Sequence, residues 1–232
     1  LVLRALADQI AIAVEDARLY GDLRLHADQL SAVADVSRVV ASILDLDELL
    51  DQVVALIHEQ FGYPFIHLFT LDRAQGKIVY RAGWPPRDAD TVEGGQPVCN
   101  LDESEGIVAW VACQGKTVLS NDLQRDPRYQ RLASPPIDAR SQLAVPLTFG
   151  DEVLGVLDVQ SEQKNSFNED DEFLFKALAD SVAIAIRNAH LYQSERWRRQ
   201  VADNMRDVAG LLSAGIELDE VLDAVLDRLG AI

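Results

Sequence analysis

The most regular pattern of apolar and polar positions in the chain lies between residues 165 and 192. One apolar face recurs there at helical spacing and consists of Leu174, Leu178, Val182, Ala185 and Ala189. Asn168 can cap the first turn, and Asp171 can bond back to it as in a capping box. The four acids at 169–172 fall in that first turn, where the helix dipole stabilises negative charge. The pattern predicts a long amphipathic helix that begins after Asn168.

Alternating patterns predict two pairs of antiparallel strands. Residues 63–71 form the first strand, and residues 78–82 return after a polar turn. One face of the first strand carries Phe65, His67, Phe69 and Leu71. Residues 140–161 predict a hairpin that turns at Gly150, with Leu143, Val145, Leu147 and Phe149 on one face of its first strand. One face of the return strand is expected to carry Val153, Leu157 and Val159.

The remaining segments predict helices and short strands around these hairpins. A helix capped by Asp45 or Asp47 precedes the first strand, and a second helix runs through Cys113 to a stop at Gly115. A short strand at 117–119 and a one-turn helix at 126–129 follow. Pro146 cannot donate to a strand on its own side, so we expect an edge or a bulge there. The order predicts an α+β fold with a central antiparallel sheet of about five or six strands and helices on one face.

Two sequence echoes divide the chain into modules. Residues 3–20 and 175–192 are identical at ten of eighteen positions, and residues 33–44 resemble residues 201–212 in the same order. We therefore expect residues 1–20 to be the last helix of a preceding module and residues 21–44 to be a linker helix. Residues 45–192 form the complete domain. Residues 193–212 form a second linker helix, and residues 213–232 begin a following module.

Both linkers carry apolar residues in alternating steps of four and three. The first seam consists of Leu19, Leu23, His26, Leu30, Val33, Ser37, Val40 and Leu44. The second, poorer seam consists of His190, Ser194, Trp197, Val201, Asn204, Val208 and Leu211. Heptad seams of this kind pair helices, so we expect a parallel homodimer through the linkers. The alternative is that each linker folds back on its own domain.

Charge and composition exclude several classes of partner. The net charge is −17 and the pI is near 4.5, so no basic face is available for nucleic acid or for an anionic membrane surface. No apolar run approaches membrane-spanning length. The chain has two cysteines and no CxxC motif, which is typical of a reducing compartment, so we expect a cytoplasmic protein.

Five segments together resemble a GAF domain. They are residues 49–61, 121–129 (NDLQRDPRY), 141–147 (SQLAVPL), 155–161 (GVLDVQS) and 167–192. The resemblance implies a small-molecule pocket on the sheet face opposite the terminal helices. It also implies that these helices pass a conformational change to a neighbouring domain, such as a kinase, a cyclase or a phosphodiesterase. The expected partners are neighbouring GAF modules and an output domain of the same protein.

Departures from the family's motifs exclude some ligands. Phe167, Asp171 and Glu172 match half of the motif of cyclic-nucleotide-binding members, but its Asn-Lys half is missing and Lys164 is displaced. We therefore expect no cyclic-nucleotide binding. Bilin-binding relatives attach their chromophore through a cysteine that is often followed by His. Neither Cys99 nor Cys113 matches, and we expect Cys113 to be a small buried hydrophobe.

A pocket would take its rim from the loops between residues 84 and 140, because loops on a rigid sheet carry binding. The candidate ligand-binding residues are Trp84, Trp110, Tyr129 and Arg140. The alternatives are that Trp110 is plain core and that Arg140 is a solvated strand end. The four histidines have no metal-ligand spacing, and His67 is expected to be a satisfied core histidine.

The sequence thus predicts a non-enzymatic sensory or regulatory module of a multidomain signalling protein, such as a sensor histidine kinase or a nucleotide cyclase. It would bind a small molecule or act as a dimeric relay, and no cofactor is identified. One alternative is a ligand-free spacer whose pocket is filled by side chains. Another is an enzyme like the cysteine-dependent methionine sulfoxide reductases of this fold, which needs a reactive thiolate.

Overall fold

The computed structural model of the chain describes residues 45–86, 96–100, 106–129 and 138–213, and isolated positions between 14 and 43. The chain divides into two compact units, Leu1–Arg187 and Asn188–Ile232. Residues 14–16 and 18–20 are helical, as the first echo predicts. Most of the N-terminal seam lies outside the described residues, as does the start of the following module except for Ser213. These domain assignments stay predictions.

The described residues between Leu46 and Ser213 contain three α-helices, six strands and a 3-10 helix. The helices are α1 (Leu46–Phe61), α2 (Ile107–Gln114) and α3 (Glu169–Ser213), and the 3-10 helix is Leu123–Arg125. The strands are β1 (Phe65–Asp72), β2 (Lys77–Trp84), β3 (Gln96–Asn100), β4 (Val118–Ser120), β5 (Ser141–Phe149) and β6 (Glu152–Ser161).

The strands form one six-stranded sheet in the order β3-β2-β1-β6-β5-β4, and each neighbouring pair is antiparallel. The predicted α+β fold and strand number are therefore confirmed. Pro146 pairs with Val156 of β6, whereas β4 reaches along β5 only to Ala144. Among the strands that the structure describes, β5 thus has no second neighbour at Pro146, as a residue without a backbone N–H requires.

Helices α1 and α3 cover one face of the sheet. Ile66 and Leu68 of β1 and Leu157 of β6 are fully buried on that face. The two helices also meet each other, because the rings of Phe61 and Phe175 lie 5.9 Å apart. This packing supplies the main reason for the amphipathic pattern of both helices.

The shorter helix α2 lies on the opposite face, which we call the open face because α1 and α3 leave it free. Side chains of β1, β2, β5 and β6 form an apolar cluster there with α2. Its members include Phe69, Ile78, Tyr80, Ala144, Val156, Ile107 and Val111. Trp110 and Tyr129 pack partly buried against this cluster. One half of the open face is therefore filled by apolar side chains.

Two local expectations are wrong. A bulge shifts the β5–β6 register, so that Leu147 pairs with Gly155 but Thr148 pairs with Val153. The extra residue turns Val153 away from the face of Leu157, because strand side chains alternate with a period of two.

The one-turn helix is also displaced. It is the 3-10 helix Leu123–Arg125, and Tyr129 N–H instead closes a turn on the carbonyl of Asp126 at 3.1 Å.

The predicted caps are confirmed. The Asp45 carboxylate accepts the backbone N–H groups of Asp47 and Glu48 at 3.1 Å each, which begins α1. Asn168 Oδ1 accepts the N–H groups of Asp170 and Asp171, and Asp171 Oδ2 accepts the N–H of Asn168 at 2.9 Å. This reciprocal pair is the capping box, with Asp in the position that Glu usually takes.

The second unit contains the C-terminal part of α3. Its side chains between residues 190 and 200 are all exposed. The exposed residues of this unit include four large apolar side chains: Leu191 (53 % exposed), Tyr192 (46 %), Trp197 (59 %) and Met205 (70 %). Of the predicted seam, Val201 and Asn204 are partly covered. The helix is as predicted, and its pairing stays a prediction.

Candidate functional site

The other half of the open face is polar and buried. We call it the polar cluster, and it consists of His67, Gln142, Asp158 and Gln160, which are 7, 3, 1 and 9 % exposed. Asp158 Oδ1 accepts a hydrogen bond from Gln142 Nε2 at 2.5 Å. Its Oδ2 accepts from Gln160 Nε2 at 2.7 Å and contacts His67 Nδ1 at 3.3 Å. A buried carboxylate costs free energy unless it is bonded in this way.

Strand register brings these four residues together. His67 of β1 stands opposite Asp158 of β6, and Gln142 of β5 stands opposite Gln160 of β6. Asp158 also pairs with Ala144, a member of the apolar cluster, so the polar cluster shares its face. The hydrogen bonds therefore join three adjacent strands on the open face.

The backbone of β2 approaches the polar cluster at Gly83. A Cβ atom at this position would lie 2.2 Å from Tyr80 Oη and 3.0 Å from His67 Cδ2. Gly83 stands opposite His67 in the sheet. A side chain at this position would displace the Tyr80 hydroxyl and press on the His67 ring that contacts Asp158.

The segment after β4 links the open face to the start of α3. The Asn121 side chain donates to the carbonyl of Phe167 at 2.8 Å and accepts the Phe167 N–H at 3.2 Å. Lys164 donates to Asp122 at 2.8 Å. The Phe167 ring stacks on Tyr63 at 5.2 Å, and Tyr63 donates to Asp171 in the capping box. Lys164 therefore pairs with Asp122, whereas Asp171 serves the cap.

The same segment holds Trp110 of α2. Arg128 makes two hydrogen bonds to the Asp126 carboxylate at 2.8 and 2.9 Å, and its guanidinium lies 5.2 Å from the Trp110 ring. The hydrogen bonds from Arg128 lower the pKa of Asp126 to about 2, against the opposing effect of burial. The bidentate geometry fixes the guanidinium against the indole.

The structure separates the four candidate ligand residues predicted from the sequence. Trp110 and Tyr129 each pack against the apolar cluster of the open face. Trp84 stands opposite Ile66, on the helix-covered side, and its ring stacks on His58 of α1 at 4.3 Å. Arg140 directly precedes β5, where its N–H donates to the Ser161 carbonyl and its side chain pairs with Asp138 at 3.3 Å.

Reasoning from the sequence left the polar cluster unassigned, except for the expectation that His67 is satisfied. The sequence did contain a sign of this cluster. Gln142 interrupts one apolar strand, and Asp158 and Gln160 interrupt the next at alternate positions, which share one face of a strand. Polar residues at such positions are expected on solvent-facing sheet surfaces, and only their burial reveals a site.

Cys113 is not the small buried hydrophobe that the sequence predicts. Cys113 is exposed at the end of α2, because the buried side of this helix consists of Ile107, Ala109, Val111 and Ala112. It borders a cleft of about 510 Å³ together with Arg73 and the β5–β6 turn. Arg73 donates to the Val153 carbonyl and pairs with Glu152. The cleft lies at the end of the sheet away from the polar cluster.

Comparison with known proteins identifies the family. The sequence profile described as GAF domain matches residues 43–187, which is more than half of the chain. The chain belongs to the GAF domain family. The polar cluster, the open face and the Asn121 segment all lie within the matched residues of this GAF domain.

Individual proteins resemble the chain at low sequence identity. The transcriptional activator HyfR of Escherichia coli is 29 % identical over 177 residues, or 74 % of this chain and 26 % of that protein. The GAF domain of a phosphoenolpyruvate-protein phosphotransferase from Coxiella burnetii is 21 % identical (TM-score 0.64), covering 72 % of this chain and 98 % of that one. The free methionine-R-sulfoxide reductase of Neisseria meningitidis is 22 % identical (TM-score 0.60), covering 71 and 91 %. The two structures establish the fold alone.

Two kinds of feature are absent from the described residues. No group of three or more His, Cys, Asp or Glu side chains in them is arranged to hold a metal ion. Among the helices that the structure describes, none has the length and apolarity to cross a bilayer.

Proposed function

We propose that this GAF domain is a non-enzymatic regulatory module of a larger signalling protein and that it senses a small molecule at the polar cluster. The observation that carries the proposal is the position of this cluster. It is a buried, hydrogen-bonding surface on the face that α1 and α3 leave free, beside an apolar wall and two aromatic side chains. A small set of polar groups in an apolar surround is typical of ligand sites.

A route for the response follows from the hydrogen bonds. Gln142 of the polar cluster pairs in the sheet with Ser120 of β4, which directly precedes Asn121. Asn121 holds Phe167, and Phe167 leads into the capping box of α3. A ligand that shifts β5 would therefore move the first turn of α3, provided that the two arrangements differ in free energy.

The C-terminal part of α3 is the proposed output of the module. Its exposed apolar residues, among them Leu191 and Trp197, fit a parallel homodimer with the same helix of a second copy. The sequence echoes favour neighbouring GAF modules in the same protein. This chain spans about a quarter of HyfR, so the output is proposed to be a separate domain, either a transcriptional one or a kinase or cyclase.

Two alternatives have some support. A ligand-free spacer is favoured by the apolar half of the open face, which is filled by Phe69, Tyr80 and α2. A cysteine-dependent enzyme is favoured by the exposed thiol of Cys113 and by the fold shared with the Neisseria reductase. A reductase would lose its activity toward free methionine sulfoxide when both cysteines are replaced, whereas the regulatory module has no such activity.

Native mass spectrometry of protein purified from cells tests the proposal. We expect a dimer that retains a small molecule, and Asp158→Ala should lose the molecule while the dimer persists. Asp151→Ala, which removes an exposed acid at the β5–β6 turn, is the matched control. A protein that carries no ligand and gains none from cell extract would support the spacer.

A further inference from the structure

Every hydrogen bond within the polar cluster ends on the Asp158 carboxylate. An ionised carboxylate accepts and does not donate, so Gln142, Gln160 and His67 each turn an N–H toward Asp158. The remaining polar atoms are Oε1 of both glutamines and Nε2 of His67. In a neutral imidazole with its proton on Nδ1, Nε2 is an acceptor. The side of the cluster away from Asp158 therefore presents these acceptors, beside the hydroxyl of Tyr80, which can donate or accept.

These acceptors border accessible space. Throughout the described part of the chain, no hydrogen bond reaches Oε1 of Gln142 or Oε1 of Gln160. Yet the one fully enclosed polar side-chain atom without a partner among the described residues is Asp122 Oδ1. The two amide oxygens therefore retain some exposed surface, although their residues are more than nine-tenths buried.

The cluster also lacks a strong cation. Among the described residues, the only ion-pair partner of Asp158 is His67. Two arginines close to Gln142 in sequence are engaged elsewhere, since Arg128 pairs with Asp126 and Arg140 with Asp138. Buried carboxylates in proteins are normally balanced by a paired positive charge.

The geometry points to a small cationic hydrogen-bond donor, of the ammonium or amidinium class, as the ligand of the polar cluster. This inference rests on the proposed function and specifies the chemistry of its ligand. The N–H groups of such a cation would bond Oε1 of Gln142 and Oε1 of Gln160, and its charge would balance Asp158. A carboxylate or phosphate ligand would instead meet three acceptors and a buried negative charge, which is repulsive.

Matched cations and anions test the class of ligand. The probes are benzamidinium against benzoate, and methylammonium against formate, at constant ionic strength. The measurement is the ¹⁵N–¹H NMR signal of the Gln142 and Gln160 side-chain amides in the full chain. We expect saturable shifts with at least one cation and none with either anion. Asp158→Asn should weaken cation binding by roughly tenfold or more, because the buried negative charge that attracts the cation is lost. Asp151→Asn, which removes an exposed charge, should leave binding unchanged.

Two results would overturn the inference: no probe cation binds saturably, or an anion binds at these amides. Anion binding would leave the regulatory function standing with a different ligand class. Cation binding that leaves the dimer and the first turn of α3 unaltered would instead sustain the ligand class and contradict the regulatory function. If Asp158→Asn does not fold, Gln160→Met is the second variant, since it removes one acceptor without changing the charge.

Discussion

Asn121 is the side chain whose loss we expect to loosen the start of α3 most selectively. Its amide makes both a donor and an acceptor bond to the backbone of Phe167, 46 residues away in the chain. The backbone N–H of Asn165 also bonds to the Asn121 carbonyl at 3.1 Å. Asn121→Ala keeps this backbone bond and removes the other two.

The expected loss of stability follows from the carbonyl and N–H of Phe167, which lose their partners in the variant. A neutral hydrogen bond contributes about 1 kcal/mol net, and a partly buried group left without a partner costs about 1–3 kcal/mol. Both groups of Phe167 are partly buried, so we expect Asn121→Ala to lower the free energy of unfolding by about 2–3 kcal/mol. For a chain of this size, that change corresponds to roughly 5–10 °C in Tm.

Urea unfolding followed by circular dichroism measures the global loss, and hydrogen exchange measures where it falls. We expect faster exchange at the Phe167 amide and through the first turn of α3, with β1 and β6 unchanged at early times. Asn188→Ala is the control, because Asn188 is exposed on the helix of the second unit and should change stability by less than about 0.5 kcal/mol.

The reasoning would be refuted if Asn121→Ala and Asn188→Ala unfolded at the same urea concentration. Uniformly faster exchange over the whole domain would also contradict it, because the link would then act on global stability and not on the start of α3.

Three further predictions concern the fold and its pH dependence. Gly155→Ala should destabilise the domain by about 2 kcal/mol or more in urea unfolding, since the new Cβ would lie 2.2 Å from a backbone oxygen of β1. Gly150→Ala, where nothing lies within 4 Å but φ is +60°, should cost only about 1 kcal/mol; an equal loss would contradict the steric account. The pKa of Asp126 is lowered to about 2 by its bonds from Arg128, so this contribution is present above about pH 4 and lost as pH falls toward 2. Arg128→Gln should flatten that part of the curve of stability against pH, and an unchanged slope would count against the pair. Burial, followed by the nearby carboxylate of the α3 cap, raises the pKa of Tyr63, so its contribution is present below about pH 10 and lost at higher pH. Tyr63→Phe should remove that alkaline loss, and its persistence in urea unfolding would argue for another group.

Local patterns were sufficient for the elements and their caps. Asn168 and Asp171 act within one turn of helix, and Asp45 bonds only to residues two and three positions away. Such interactions depend on neighbouring residues alone, so the sequence predicts them well. The same holds for Pro146, whose missing N–H demands a strand edge wherever the strand lies in the sheet.

Interactions between distant segments were not predictable in this way. The bulge opposite Leu147 reverses the face of Val153, and nothing in the alternation of β6 announces it. Trp84 faces α1 and not the other aromatic candidates, because its side is set by pairing with Ile66. The exposure of Cys113 likewise depends on which side of α2 meets the sheet.

The sequence by itself determined the GAF resemblance, the α+β class, the caps and the long final helix. Only the tertiary structure decided that Gln142 and His67 converge on Asp158, from 16 and 91 positions away. The physical reason is that helix periodicity and capping act over a few residues, whereas a buried hydrogen-bonded cluster depends on the register of three paired strands. Its polar members look solvated in the sequence, and their burial exists only once the sheet and its covering segments have assembled.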